Sequence, residues 1–296
     1  MTIQSPCFAG IDAGGTTFKC GVSDANGNVL SKHRVHVTTP DETLSACAEY
    51  FKSVTSKSNL KALGIASFGP IDIDRTSKTY GTILATPKPN WAGTDLREFF
   101  TNALATETVV DTDVNGALLA EMTTGAAQSA SSAVYITIGT GIGAGIYLNG
   151  HFAGQPTHPE FGHIPIKRHS DDTSFAGICP FHGDCLEGLT SVSSMRARWG
   201  EPKDLAPDHQ GWVIAADYLA QACRVLTLTL RVERIILGGG LMLAPHLLDM
   251  VRSAYDRQMA NYLGDKSIAG RTLIYRPALG DDAGLRGALL LASLHQ

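Results

Sequence analysis

The chain has 296 residues, 44% hydrophobic and 18% charged, with a formal net charge of −4. That is long enough for two domains with a core each and too apolar for a disordered chain, and no lysine-arginine cluster is dense enough for a nucleic-acid or anionic-membrane surface. Residues 1–6 are too short and polar for a signal peptide and no apolar run reads as membrane-spanning, so a cytoplasmic protein with no membrane partner is expected.

In chain order, an apolar run from Phe8 enters a glycine-rich bend, Asp12-Ala13-Gly14-Gly15-Thr16-Thr17, and a second apolar run at Cys20-Gly21-Val22 precedes Asn26-Gly27. Asn-Gly is the strongest short signal for a two-residue hairpin turn, so the unit reads as strand, tight bend, strand. The spacing predicts a helix over 40–56 with Leu44, Cys47, Ala48 and Phe51 on one face, Thr39 as cap and Pro40 in the first turn. A short buried strand over 63–66 ends at Ser67-Phe68-Gly69-Pro70. Ligands of alternating α/β folds gather beyond the carboxyl ends of strands, which makes this turn a candidate pocket wall. Thr86-Pro87-Lys88-Pro89-Asn90-Trp91 reads as loop and 95–105 as helix. A strand over 108–110 runs into Asp111-Thr112-Asp113-Val114-Asn115, and 116–122 continues as helix.

The same device then returns: Val134 through Ile138-Gly139-Thr140-Gly141-Ile142-Gly143 to Gly145-Ile146-Tyr147, then Asn149-Gly150. The stretch 151–190 has little periodicity, and long irregular segments in a compact domain are usually functional or held by a metal. A helix over 211–228 follows, then a strand over 234–237 entering Gly238-Gly239-Gly240. A helix over 245–259, a strand over 272–275 and a helix over 284–294 complete the chain. Strands and helices alternate twice over, which predicts two related α/β domains. One covers 1–113 and is joined by the C-terminal helix 284–296; the other covers 114–283 and contains the loop 158–190.

Glycine lets main-chain N–H groups approach phosphate oxygens and threonine adds a donor, so two such bends suggest a clamp on one nucleotide; singly, each would be an ordinary hairpin. Because a strand follows each bend, the Walker loop and the dinucleotide fingerprint, which open helices, are disfavoured. Asp12 is a turn former or, beside a phosphate loop, a holder of water on Mg2+. Asp113, at a strand-to-helix junction, is an N-cap or a general base kept ionised by the helix dipole. His163, Cys179, His182 and Cys185, spaced x15, x2 and x2, have the ligand types of a closed structural Zn2+ site. A disulfide or chance clustering is the alternative, and His151, His158 and His169 are nearby candidates for the closing histidine. Cys7, Cys20, Cys47 and Cys223 read as core. Glu160 and Glu187 would be solvated carboxylates if isolated, but a metal-fixed loop would hold them to accept hydrogen bonds from a polyhydroxylated ligand. Gly238, Gly239 and Gly240 either let an adenine lie close to the backbone or form a strand-to-helix turn.

Asp12-x-Gly14-Gly15-Thr16, Asp113-x-Asn115, Gly139-Thr140-Gly141-x-Gly143, Glu160-x-Gly162-His163, the knuckle with Glu187, Leu237-Gly238-Gly239-Gly240 and Gly284-x-x-Gly287-Ala288 together resemble the ROK sugar kinases in order and spacing. The match covers essentially the whole chain. His158-Pro159-Glu160, Cys179-x-x-His182-x-x-Cys185 and Thr86-Pro87-Lys88-Pro89 look most like the bacterial fructokinase branch. The resemblance implies an actin-like (ribonuclease H-like) ATPase fold, two related α/β domains with a cleft between them that closes on ATP-Mg2+ and a sugar. It implies Asp113 as general base for the sugar 6-hydroxyl, with Glu160, His163 and Glu187 on sugar hydroxyls and Asn115 and Gly69 in the same substrate site. Gly14, Gly15, Thr16, Thr140 and Gly141 would hold phosphates, and His163 would serve sugar and zinc through different ring nitrogens. Three departures are present. Thr17 stands where many members have lysine, leaving Thr17 or Lys19 to approach the nucleotide; Thr112 replaces an asparagine of the glucose-using relatives; His182 replaces a knuckle cysteine. The last two agree with the fructokinase branch.

The expected activity is ATP-dependent conversion of D-fructose to fructose 6-phosphate. A kinase for mannose, glucose or an N-acetylated amino sugar is the nearest alternative, and a non-catalytic sugar-sensing ROK protein is the other. The family's repressors carry a helix-turn-helix ahead of the first bend, where this sequence has seven residues before Phe8, so no nucleic-acid partner is expected. The sequence leaves a homodimer open.

Overall fold

Each glycine bend opens an antiparallel hairpin, and each hairpin seeds a sheet. The computed structural model describes residues 3, 5–55, 59–86 and 88–295. Ser56, at the end of the first predicted helix, Pro87 in the predicted loop, and Met1, Thr2, Gln4 and Gln296 lie outside the described residues. The chain divides into two units: Met1–Glu121 with Gly154–His158 and Asp281–Gln296, and Met122–Ala153 with Pro159–Gly280.

In the first unit, β1 (Cys7–Ala13) pairs antiparallel with β2 (Thr17–Asp24), which pairs antiparallel with β3 (Val29–His36). Helix α1 (Pro40–Val54) then leads to β4 (Leu60–Ser67), parallel to β1, and α2 (Leu96–Leu104) to β5 (Glu107–Thr112), parallel to β4. The sheet order is β3-β2-β1-β4-β5. The α1 signals act as read: Thr39 accepts the Glu42 N–H at 3.4 Å, Pro40 follows, acidic Asp41 and Glu42 occupy the first turn, and Leu44, Cys47, Ala48 and Phe51 are buried. Asp95 likewise caps α2 through the Glu98 N–H at 2.8 Å. Helix α3 (Asp113–Thr124) follows β5 directly.

The second unit repeats this plan. Strands β6 (Ser132–Ile138), β7 (Ile142–Leu148) and β8 (His151–Phe152) form the antiparallel run. Two short helices, α4 (Leu186–Thr190) and α5 (Val192–Trp199), precede the long α6 (Gln210–Leu230). Strand β9 (Arg234–Gly238) is parallel to β6; α7 (Leu247–Met259), α8 (Gly270–Leu273) and β10 (Ile274–Tyr275), parallel to β9, follow. Read from β8, the order β8-β7-β6-β9-β10 reproduces that of the first sheet. The last helix, α9 (Ala283–Leu294), belongs to the first unit. Its seat is made by glycines: a Cβ on Gly64 of β4 would come 2.0 Å from Ala288 O, and one on Gly10 of β1 would come 2.9 Å from Leu289 N. Each unit has its own apolar core, around Phe18, Phe51 and Trp91 in the first and Trp212, Tyr218 and Tyr255 in the second.

Three local expectations are corrected. Asn26-Gly27 is not a two-residue turn: Asp24 Oδ1 accepts the N–H groups of both Asn26 and Asn28 at 2.9 Å, drawing Asp24–Asn28 into a wider loop. Asn149-Gly150 does make the tight turn, with φ of 48° and 96° and Leu148 opposite His151. The strand expected over 272–275 is helical in its first half, because Asp256 Oδ1 holds the Gly270 N–H at 2.8 Å and the Thr272 hydroxyl bonds Ala269 O at 2.9 Å. α6 is long and apolar enough to cross a membrane by length and composition, contrary to the expectation for the chain; its Trp212, Ala215, Leu219 and Cys223 are buried in the second core. Within 151–190, the irregular chain is pinned by Asp172, which accepts from the Tyr218 hydroxyl at 2.8 Å and from Arg198 Nη1 at 2.5 Å.

Candidate functional site

In the first unit the parallel strands end in register, Ala13 beside Ser67 and Ser67 beside Thr112. The first glycine bend, Phe68-Gly69 and Asp113 therefore leave the sheet at one edge, where an α/β fold places its ligands. Four residues, 14–17, separate the last paired positions Ala13 and Phe18, and the Gly14 N–H points back to Asp12 O and Thr17 O at 3.2 Å. Thr16 O receives the Val37 N–H at 3.0 Å, and Gly15 has open space where a Cβ would stand.

Asp113 is the first residue of α3, yet it is not the cap. Thr112 Oγ1 accepts the Asn115 N–H at 3.2 Å, leaving Asp113 bonded through Oδ1 to the Val114 N–H at 2.8 Å. The helix start was expected to keep this carboxyl ionised. Burial instead pushes it up to about 7, with the like charge of Asp12 adding to the rise and the Val114 N–H opposing it. Asp12 is itself raised by burial against the pull of Lys19, whose Nζ lies 3.3 Å from Asp12 Oδ2. Lys19 Nζ also donates to Asp281 Oδ1 at 2.6 Å and Asp281 O at 2.8 Å, so it is committed to carboxylates, while Thr17 on the same strand face stands at the bend. Gly284 of α9 leaves room for the Asp12 carboxyl: a Cβ there would lie 2.6 Å from its Cγ.

Asn115 uses its side chain inward, donating Nδ2–H to Asp111 Oδ1 at 2.7 Å. Asp111 is a half-buried carboxyl whose pKa desolvation raises against the Asn115 hydrogen bond; its place four residues before Asn115 is the signal in the sequence. His158 was a candidate near the metal loop. It falls in the first unit, a ring nitrogen 3.2 Å from Ile71 O and its Cε1 3.9 Å from where a Gly69 Cβ would be.

In the second unit three residues, Gly139, Thr140 and Gly141, link the paired positions Ile138 and Ile142, and the Gly139 N–H bonds Gly141 O at 2.9 Å. The triglycine converges on them. Gly239 has φ of 86° and its missing Cβ would lie 2.5 Å from Ile138 N, so only glycine lets the end of β9 pass the end of β6. Gly240 then enters a 3-10 turn, Gly240–Leu243, ahead of α7. Glu187 joins the same group: its Oε2 accepts the Ile142 N–H at 2.8 Å.

The four metal-ligand candidates come together in this unit. One ligand atom from each of His163, Cys179, His182 and Cys185 lies within 4.8 Å of the other three. Cys179 Sγ is 3.6 Å from His163 Nδ1 and 3.7 Å from His182 Nδ1, and Cys185 Sγ is 3.6 Å from His163 Nδ1. A tetrahedron with Zn–S near 2.3 Å and Zn–N near 2.05 Å has S···N edges of about 3.6 Å, so the side chains already stand at ligand spacing. Both histidines present Nδ1, which leaves Nε2 of His163 outside the cluster. Gly183, with φ of 62°, turns the knuckle, exchanging backbone bonds with Cys179 at 2.9 and 3.2 Å. All six cysteines are free and buried, as expected for the four core ones. His151 and His169 are not in the cluster.

Two sheets of one topology, each a three-stranded antiparallel run extended by parallel strands, define an actin-like ATPase fold. The chain belongs to the ROK family, whose sequence profile matches residues 8–294. It is 41% identical over 288 residues to a putative fructokinase of Bacillus subtilis, covering 96% of this chain and 95% of that one. A fructokinase of Zymomonas mobilis is 40% identical over 301 residues, covering 99% and 98%. Among solved structures, a ROK hexokinase from Thermus thermophilus superposes with a TM-score of 0.77 at 27% identity, covering 98% of both chains. A ROK glucokinase of Streptomyces griseus, solved with glucose and AMPPNP, has the same fold, with a TM-score of 0.74 at 24% identity over 97% and 99%.

Proposed function

We propose that the chain is an ATP-dependent hexose kinase, and specifically a fructokinase that phosphorylates the 6-hydroxyl of D-fructose. The observation that carries the chemistry is Asp113, a half-buried carboxyl at a sheet edge with its pKa raised to about 7. A general base works best when its pKa lies near the working pH, because it is then both ionised and basic enough to accept a proton. In this reading Asp113 takes the proton of the attacking hydroxyl and Asp12 orders the water around Mg2+. Mg2+, when bound, neutralises charge on the phosphates, and positioning does most of the rest. The glycine bends at 14–17 and 139–141 bind phosphates, and Gly238–Gly240 accepts the adenine. Glu160, Glu187 and Nε2 of His163 hold sugar hydroxyls, while His163 Nδ1, Cys179, His182 and Cys185 hold a structural Zn2+. Fructose as substrate is supported by the identity to fructokinases.

A coupled assay of ADP release across fructose, mannose, glucose and N-acetylmannosamine tests this. A kcat/KM highest for fructose is expected. Preference for another sugar overturns the specificity, and no sugar-dependent ADP release overturns the kinase.

A further inference from the structure

Glu187 occupies an unusual place for a group assigned to a sugar. It is the second residue of α4, a helix capped by a member of the metal cluster: Cys185 Sγ accepts the Gly188 N–H at 3.4 Å. From there Glu187 Oε2 accepts the Ile142 N–H at 2.8 Å and fills the space that a Cβ on Gly141 would take, 2.5 Å away. The chain at Gly162, next to His163, also passes close to the carbonyl side of Ile142, since a Cβ there would stand 2.1 Å from Ile142 O. The Val192 N–H, just beyond α4, bonds Gly139 O at 2.8 Å. The metal loop and the segment after it thus contact both ends of the bend at 139–141. A carboxylate next to an anion-binding bend raises the cost of binding phosphate through repulsion, unless its hydrogen bond sets the shape of the bend.

We propose that Glu187 is a positioning residue for the terminal phosphates of the nucleotide, fixing the Gly139–Gly141 bend through Ile142 and tying it to the metal-ligand knuckle. This rests on the kinase reading above. The role is separate from sugar binding, because it acts through the Ile142 N–H and needs no sugar.

The test is calorimetric binding of the magnesium complex of a non-hydrolysable ATP analogue in the absence of any sugar, with AMP, which ends before the terminal phosphates, as the control. Glu187→Ala should weaken the analogue roughly tenfold, the effect of losing one charge-assisted hydrogen bond, and leave AMP unchanged. Glu187→Gln keeps an oxygen that can accept the N–H and should restore most of the affinity. Gly141→Ala, whose Cβ displaces the carboxylate, should weaken the analogue alone and add little to Glu187→Ala. If Glu187→Ala does not fold, the Gly141→Ala and Glu187→Gln pair carries the test. Equal or tighter analogue binding by Glu187→Ala, or by Gly141→Ala where that pair carries the test, overturns the proposal and makes the carboxylate a competitor of phosphate. So does failure of Glu187→Gln to rescue. Wild-type protein that binds neither nucleotide removes the kinase reading along with it.

Discussion

Replacing Asp113 by asparagine should stop turnover and stabilise the protein, and the stabilisation should depend on pH. The folded carboxyl titrates at about 7, against an ordinary value of 3.8. A rise from 3.8 to about 7 disfavours the ionised form in the folded state by about 4 kcal/mol. A raised acid gives its full stability below pH 4, where both states are protonated, and loses it as pH climbs to 7, because the unfolded chain ionises first. Wild type should therefore lose up to about 4 kcal/mol between pH 4 and 8 from this group, with Asp12 titrating alongside it. Asparagine cannot ionise and lacks that slope. Urea denaturation of both proteins without nucleotide or magnesium, at several pH values from 4 to 8, measures the difference, and any constant offset from the buried amide cancels between them. An advantage of Asp113→Asn that grows with pH supports the assignment, while kcat falls by orders of magnitude with fructose affinity kept. A difference flat with pH would mean that Asp113 is already ionised in the folded protein, and would refute a desolvated base.

The same carboxyl should give kcat/KM an acid limb near pH 7, falling about tenfold per unit below it. Asp12→Asn should move that limb to lower pH by removing the like charge, read from the free-enzyme profile; an unmoved limb separates the two carboxyls. Purified protein should hold one Zn2+ per chain by elemental analysis, and Cys185→Ser should lose it together with most of the fructose affinity, whereas metal-free protein with unchanged affinity contradicts the Zn2+ assignment. Gly64→Ala should destabilise by several kcal/mol or prevent folding, since its Cβ meets backbone at Ala288 O, 2.0 Å away, and no rotamer relieves that; thermal melting within a degree of wild type would refute the packing of α9.

The architecture was legible because its signals are local. Thr39-Pro40 and Asp95 announce helix starts through bonds made within four residues, and the repeated bend-and-turn device announced the duplicated topology. What was missed depended on single side chains competing for backbone. Asp24 widened one Asn-Gly turn while Asn149-Gly150, with no such neighbour, stayed tight. Helix α5, capped by Ser191 through the Ser194 N–H at 3.2 Å, carries few apolar residues and so showed no face to read. At the site, the residue types and the knuckle spacing were legible, but their partners were not. Thr112, not Asp113, caps the helix, and Asn115 turns to Asp111. Glu187 reached a backbone N–H 45 residues away.

The two bends look alike in sequence but are held by opposite means, and this bears on how a duplicated fold acquires an asymmetric function. The first stands beside Asp12, Lys19 and Asp281, where the cation lies between two carboxylates and burial leaves Asp12 and Asp113 hard to ionise together. The second is held by one carboxylate on a helix whose cap belongs to the cysteine-histidine cluster. A like charge beside the base suits proton abstraction, because Asp12 adds to the rise that burial gives Asp113. A bend held by hydrogen bonds from the loop that carries the cysteine-histidine cluster suits phosphate binding, because its geometry is set before the ligand enters. Exchanging the two sets of neighbours while keeping both glycine bends should therefore abolish catalysis even if both halves fold: the sheets are duplicated, but the chemistry follows from the neighbours of each carboxylate.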